Sequence, residues 1–154
     1  MIHSILTEDT VEVNVEVSDW EKAVRTAGNL LYKNGYVEAC YVDSMVDIVK
    51  TVGPYIVLLK GVALAHARPS QGAKKIGLSL ITLKTPVNFG NADNDPVSLV
   101  FALSAVDNSS HLELLGELSQ IFGDEEGMEE LAKASTKQEL LDRIHKIVKK
   151  TAVS

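Results

Sequence analysis

The chain has 154 residues, 45% hydrophobic and 23% charged, which is apolar material enough for one core in one domain. Its formal net charge of -6 argues against a nucleic-acid-binding domain, because such domains gather positive charge against phosphates. The single cysteine, Cys40, rules out an intramolecular disulfide and a cysteine zinc site, and it fits a reducing compartment.

No apolar run approaches the ~20 residues that a membrane helix needs, and the first residues lack the basic and apolar regions of a signal peptide. A soluble, cytoplasmic protein is expected. Val11, Val13, Val15 and Val17 alternate with Glu12, Asn14 and Glu16, the period-two pattern of a strand with one wet face. Ser18 is the expected cap of a first helix, with Glu21 completing a capping box. Trp20, Ala23, Val24, Ala27, Leu30 and Leu31 form its buried stripe, and Asn34-Gly35 stops it. A second helix comes next, with Val37, Tyr41, Met45, Ile48, Val49 and Val52 facing inward and Gly53-Pro54 at its end. Cys40 is expected to be a small buried hydrophobe within it.

Ile56 to Leu59 and Val62 to Ala65 read as buried strand, bounded by Gly53-Pro54 and Pro69 and ending at His66. Ile76 to Leu83 is a further strand that Thr85-Pro86 should break, with Val87 to Phe89 a separate short one and Gly90 to Pro96 a polar loop. The near-continuous apolar run from Leu99 to Val106 suits a central strand covered on both faces. Ser110 and Glu113 suggest a capping box that puts His111 at the first helical position, and Gly123 ends that helix. A short helix around Met128 to Ala132 and a last one from Ser135 or Thr136 complete the chain, with Lys146, Lys149 and Lys150 complementing the final turn. The order of elements predicts a single α/β domain over residues 1–154, with a mixed parallel and antiparallel sheet and helices on both faces. An apolar stripe serves a core or a second copy equally well, so a homo-oligomer stays open.

His3 and His145 read as surface residues. His66 and His111 each come after an apolar strand, and if those strands run parallel the two rings share the sheet edge at which ligands of open α/β sheets collect. From residue type alone His66 is a satisfied structural histidine, a metal ligand, or a nucleophile or acid/base group paired with Arg68. The start of the helix at His111 offers free N–H groups to an anion, and the planar donors of Arg68 suit phosphate. Together these groups fit phosphoryl transfer through an imidazole. Asp93, Asp95 and Asp107 are the candidates for a third metal ligand, and turn formation or capping accounts for them more simply. No Walker loop, kinase motif or HExxH occurs.

The stretch Gly61-Val62-Ala63-Leu64-Ala65-His66-Ala67-Arg68-Pro69 resembles the IIA components of the bacterial phosphoenolpyruvate-dependent sugar phosphotransferase system, fructose and mannitol class. With Trp20 opening the first helix, Gly53-Pro54-Tyr55 and Asn94-Asp95-Pro96, it is most similar to the ascorbate-specific subgroup. The resemblance runs from about Val11 to Phe122 and onward through the last helices. It implies a cytoplasmic phosphocarrier without metal or organic cofactor, in which phosphoenolpyruvate is the ultimate phosphoryl donor. His66 would accept the phosphoryl group from the histidine carrier protein HPr, usually on the ε nitrogen, and pass it to a IIB component that serves the membrane IIC transporter. His111 matches the family's supporting histidine. Mannitol-type members carry an arginine where this chain has Ile48, so stabilising the phosphoryl oxygens would fall to Arg68 or Lys50. A regulatory IIA-like protein and a non-catalytic binding domain are the alternatives.

Overall fold

The computed structural model describes the backbone of residues 1–153 and the side chains of residues 1–148. Lys149 and Lys150 therefore lie outside the described side chains. Five strands, β1 (Val11–Val15), β2 (Val57–Leu59), β3 (Val62–Ala65), β4 (Gly77–Val87) and β5 (Val97–Ser104), form one sheet in the order β1-β4-β5-β3-β2. β1 runs parallel to β4 and β3 parallel to β5, whereas β4–β5 and β2–β3 are antiparallel, so the sheet is mixed as expected.

Side chains alternate across the central strands. Val62, Leu64, Leu78, Leu80, Leu99, Phe101 and Leu103 face one layer, made by α1 (Ile2–Ile5), α4 (Asn108–Phe122), α5 (Glu125–Ala132) and α6 (Lys137–Val153). Ala63, Ala65, Ile81, Leu83, Val100 and Ala102 face the other, made by α2 (Trp20–Lys33) and α3 (Ala39–Val52). The small residues on this second face let the helices sit close. Ser79 is fully buried there, and its hydroxyl donates to the Ala27 carbonyl of α2 at 2.6 Å. α2 and α3 cross tightly enough that a Cβ on Gly28 would lie 2.6 Å from the Met45 methyl. Ser79 thus keeps a partner in the core, as a buried hydroxyl requires.

Four local expectations are corrected. Asp19, not Ser18, caps α2: its carboxylate accepts the Lys22 N–H at 2.9 Å, and since Asp and Ser are comparable caps it is the path of the chain out of β1 that selects Asp19. Thr85-Pro86 does not break β4, which runs on to Val87 and pairs with Val97 across a register shift, where the missing proline N–H costs no ladder bond. Cys40 is exposed near the start of α3, with Sγ 3.2 Å from the Gln71 carbonyl. His145 is half-buried, because α1 folds over α6 and sets the His3 ring 4.4 Å away, centroid to centroid.

Candidate active site

β3 and β5 are adjacent, parallel and in register to the pair Ala65–Ala102, so the segments leaving their C-terminal ends emerge at one sheet edge. His66 is the first residue beyond β3, and β5 leads through Ala105 to Asp107 into α4 and His111. The two rings and Arg68 line one cavity of about 390 Å3, together with Tyr41, Ile48, Val52, Leu103 and Asn108. The walls are mostly apolar and the polar groups few, the common composition of a ligand cleft.

His66 is held from within its own strand. Its Nδ1 lies 3.0 Å from the Leu64 carbonyl two residues back. The loop after it is strapped to the start of α3: the Glu38 N–H donates to the Gly72 carbonyl at 2.8 Å, and the Lys74 N–H donates to the Tyr36 carbonyl at 2.9 Å. Arg68 is exposed and has no ion-pair partner among the described residues, which leaves its guanidinium available at the cavity.

α4 begins one turn earlier than Ser110 and Glu113 suggest. Asp107 is the cap, its carboxylate accepting the Ser110 N–H at 2.7 Å, and the same bond holds its carboxyl below the usual range. His111 is consequently the fourth helical residue, its own N–H engaged with the Asp107 carbonyl. Asp and Ser are both good caps, and only the tertiary path of the chain chooses between them. The helix start that borders the cavity is Asn108.

Lys50 is turned away. It pairs with Glu21 of α2 at 3.1 Å, beside the Arg25 guanidinium that joins Glu21 to Asp43. Lys50 first, and then Arg25, hold the Glu21 carboxyl below its ordinary value. Ile48, by contrast, faces the cavity. Asp93 and Asp95 belong to the other end of β3, where the Asn94 carbonyl accepts the Gly61 N–H. The Asp95 carboxylate accepts from the N–H groups of Phe89, Gly90 and Asn91 and shapes that turn. Among the described residues no three His, Cys, Asp or Glu side chains gather as a metal site would need.

Tyr41 is the site residue that its sequence pattern assigns to the core alone. Its ring is buried, but its hydroxyl reaches the strand ends, accepting the Ala67 N–H at 3.1 Å and lying 2.7 Å from the Leu103 carbonyl. Burial pushes the phenol up from its ordinary value, so it stays neutral.

The mixed sheet carries two histidines and an arginine in the segments that follow its parallel strands β3 and β5, and comparison with known proteins places the chain. The family model for the phosphoenolpyruvate-dependent sugar phosphotransferase system, EIIA 2, matches residues 4–147. The chain is 38% identical over 145 residues to the ascorbate-specific EIIA component of Shigella flexneri, covering 93% of this chain and 94% of that protein. The solution structure of the mannitol-specific cryptic enzyme IIA CmtB of Escherichia coli superposes with a TM-score of 0.85 at 35% identity, over 93% of this chain and 97% of that one. Enzyme IIA of the Escherichia coli mannitol system, solved in complex with phosphorylated enzyme IIB, superposes at a TM-score of 0.80 and 26% identity, over 92% and 99%.

The chain belongs to this EIIA family of the sugar phosphotransferase system, and it is a phosphotransfer protein by that membership. No helix among the described residues is long and apolar enough to cross a membrane.

Proposed function

We propose that this protein is the cytoplasmic phosphocarrier of an ascorbate uptake system, taking a phosphoryl group from phospho-HPr on His66 and handing it to a IIB component. The observation that carries this reading is the bond from His66 Nδ1 to the Leu64 carbonyl. A carbonyl only accepts, so Nδ1 keeps the proton and Nε2 keeps the lone pair. In the accepting step the Nε2 lone pair forms the new N–P bond while the donor's N–P bond breaks and its electron pair returns to the donor nitrogen. The Nδ1 proton stays in place, and the Leu64 carbonyl meets the positive charge that builds on the ring.

Arg68 and the start of α4 border the space that the phosphoryl oxygens would occupy, and His111, one turn into the same helix, lines it too. Lys50, spent on Glu21, leaves the guanidinium role to Arg68. Donation to IIB is the same displacement with the roles reversed. No metal or organic cofactor enters either step. The likeness to ascorbate-specific relatives supports ascorbate as the sugar that the accompanying membrane component selects. Val52, Val106 and Leu112 are large, exposed and close in sequence or space to the cavity lining, which suits brief docking of a protein donor and acceptor.

The test is passage of phosphate along the chain. Phosphoenolpyruvate, enzyme I and HPr are supplied with this protein and either an ascorbate-type or a mannitol-type IIB, and label is measured on each protein. Transfer to the ascorbate-type IIB, lost in His66→Ala, is expected; phosphorylation with no onward transfer to any IIB favours a regulatory role instead.

A further inference from the structure

Resting on the phosphocarrier reading for its catalytic consequence, we infer that Tyr41 is a positioning residue whose hydroxyl sets the geometry and tautomer of His66. The last in-register pair of β3 and β5 is Ala65–Ala102. Just beyond it, the Ala67 N–H donates to the Tyr41 hydroxyl at 3.1 Å, and that hydroxyl donates to the Leu103 carbonyl at 2.7 Å. The Ala67 carbonyl lies within 3.2 Å of the same oxygen, but one hydroxyl proton serves one acceptor best, and the shorter contact takes it. The phenol is therefore an inserted rung: N–H to O–H to carbonyl, where a sheet would otherwise close N–H onto carbonyl.

This rung holds the two strands apart at the point where one carries His66 and the other departs toward His111. His66 sits between the strand residue Leu64, which accepts from its ring, and Ala67, which the phenol clamps. The ring's orientation is thus fixed on both sides along the chain. Because Tyr41 rises from α3, which also straps the loop through Glu38, the splay is held by a rigid element. Removing the oxygen alone leaves the half-buried Ala67 N–H and the buried Leu103 carbonyl to recover their bonds by closing on each other, and the closure draws the His66 peptide toward β5.

Tyr41→Phe keeps the buried ring, and Val46→Ala, further along the same helix and fully buried, serves as a destabilised control. Imidazole nitrogen NMR of His66, at a pH where the ring is neutral, reads the tautomer directly. The expected result is Nδ1–H alone in the wild type and in Val46→Ala, and a mixture in Tyr41→Phe. Phosphoryl acceptance by Tyr41→Phe should then fall on the order of 10- to 100-fold in kcat with KM for phospho-HPr unchanged. A single tautomer retained in Tyr41→Phe, or one lost equally in Val46→Ala, overturns the inference. Should the wild type take no phosphate at all, the proposed function fails, and the tautomer comparison still decides the role of Tyr41.

Discussion

A strand carbonyl two residues back from a histidine is an inexpensive way to choose between two ring nitrogens, and His66 with Leu64 uses it. The choice needs the ring to leave the strand just where the sheet ends, which is why an apolar run stopping at His66 is informative. The gathering of His66, Arg68 and His111 at one sheet edge was legible for that reason, on the condition that the two apolar strands before them pair in parallel, which the observed register meets. Tyr41 was not, since an aromatic on the inner stripe of a helix reads as core, and only the tertiary fold carries its hydroxyl to Ala67 and Leu103. His111→Ala is expected to leave a folded protein whose acceptance of phosphate slows about 100- to 1000-fold, as removal of one preorganised group at a charge-building centre does. Stopped-flow or quench measurement against phospho-HPr checks this, and an unchanged rate removes His111 from the site.

At the scale of elements, the cap and strand boundaries were the parts least readable. Ser18 and Asp19, or Asp107 and Ser110, are alternative caps one or three residues apart, and the deciding influence is the direction in which the preceding strand delivers the chain. The contact of α1 with α6 was invisible for a different reason: a four-residue helix leaves almost no periodic signal, yet it covers His145. Burial first, then the neighbouring His3, lowers the His145 pKa, with Asp142 opposing, and its Nε2 has no hydrogen-bond partner among the described residues. The folded state therefore binds this proton less readily than the unfolded chain. Stability from a neutral His145 is complete above the unfolded value of about 6.5 and is lost as pH falls through the lower folded value. Thermal unfolding should accordingly move to lower temperature on acidification from about pH 7.5 to pH 5.5, and His145→Leu should flatten that slope relative to the wild type. Equal slopes for the two proteins would assign the effect to other groups.

Taken whole, the molecule is a five-stranded mixed sheet between two unequal helical layers, with the candidate chemistry at one edge and the tight Asp95 turn at the other. The two layers were readable from strands that are apolar on both faces; the parallel pairing of β3 with β5 was a condition of the sequence argument, and the observed register meets it. A carrier that exchanges phosphate with two proteins in turn needs a surface that binds each briefly. Leu112, exposed beside His111, is placed to contribute to such a surface. Leu112→Asp should raise KM for phospho-HPr about tenfold with little change in kcat, the loss expected when one apolar contact of a small interface becomes charged. An unaltered KM would move the docking surface elsewhere.

The most direct test of the central claim is intact mass. The protein and its His66→Ala variant are incubated with phosphoenolpyruvate, enzyme I and HPr, and kept alkaline so that a phosphohistidine survives. One acid-labile phosphate on the wild type and none on the variant is the predicted result. Phosphate on both proteins would place the acceptor at another residue, and phosphate on neither, with a competent HPr, would contradict the carrier itself.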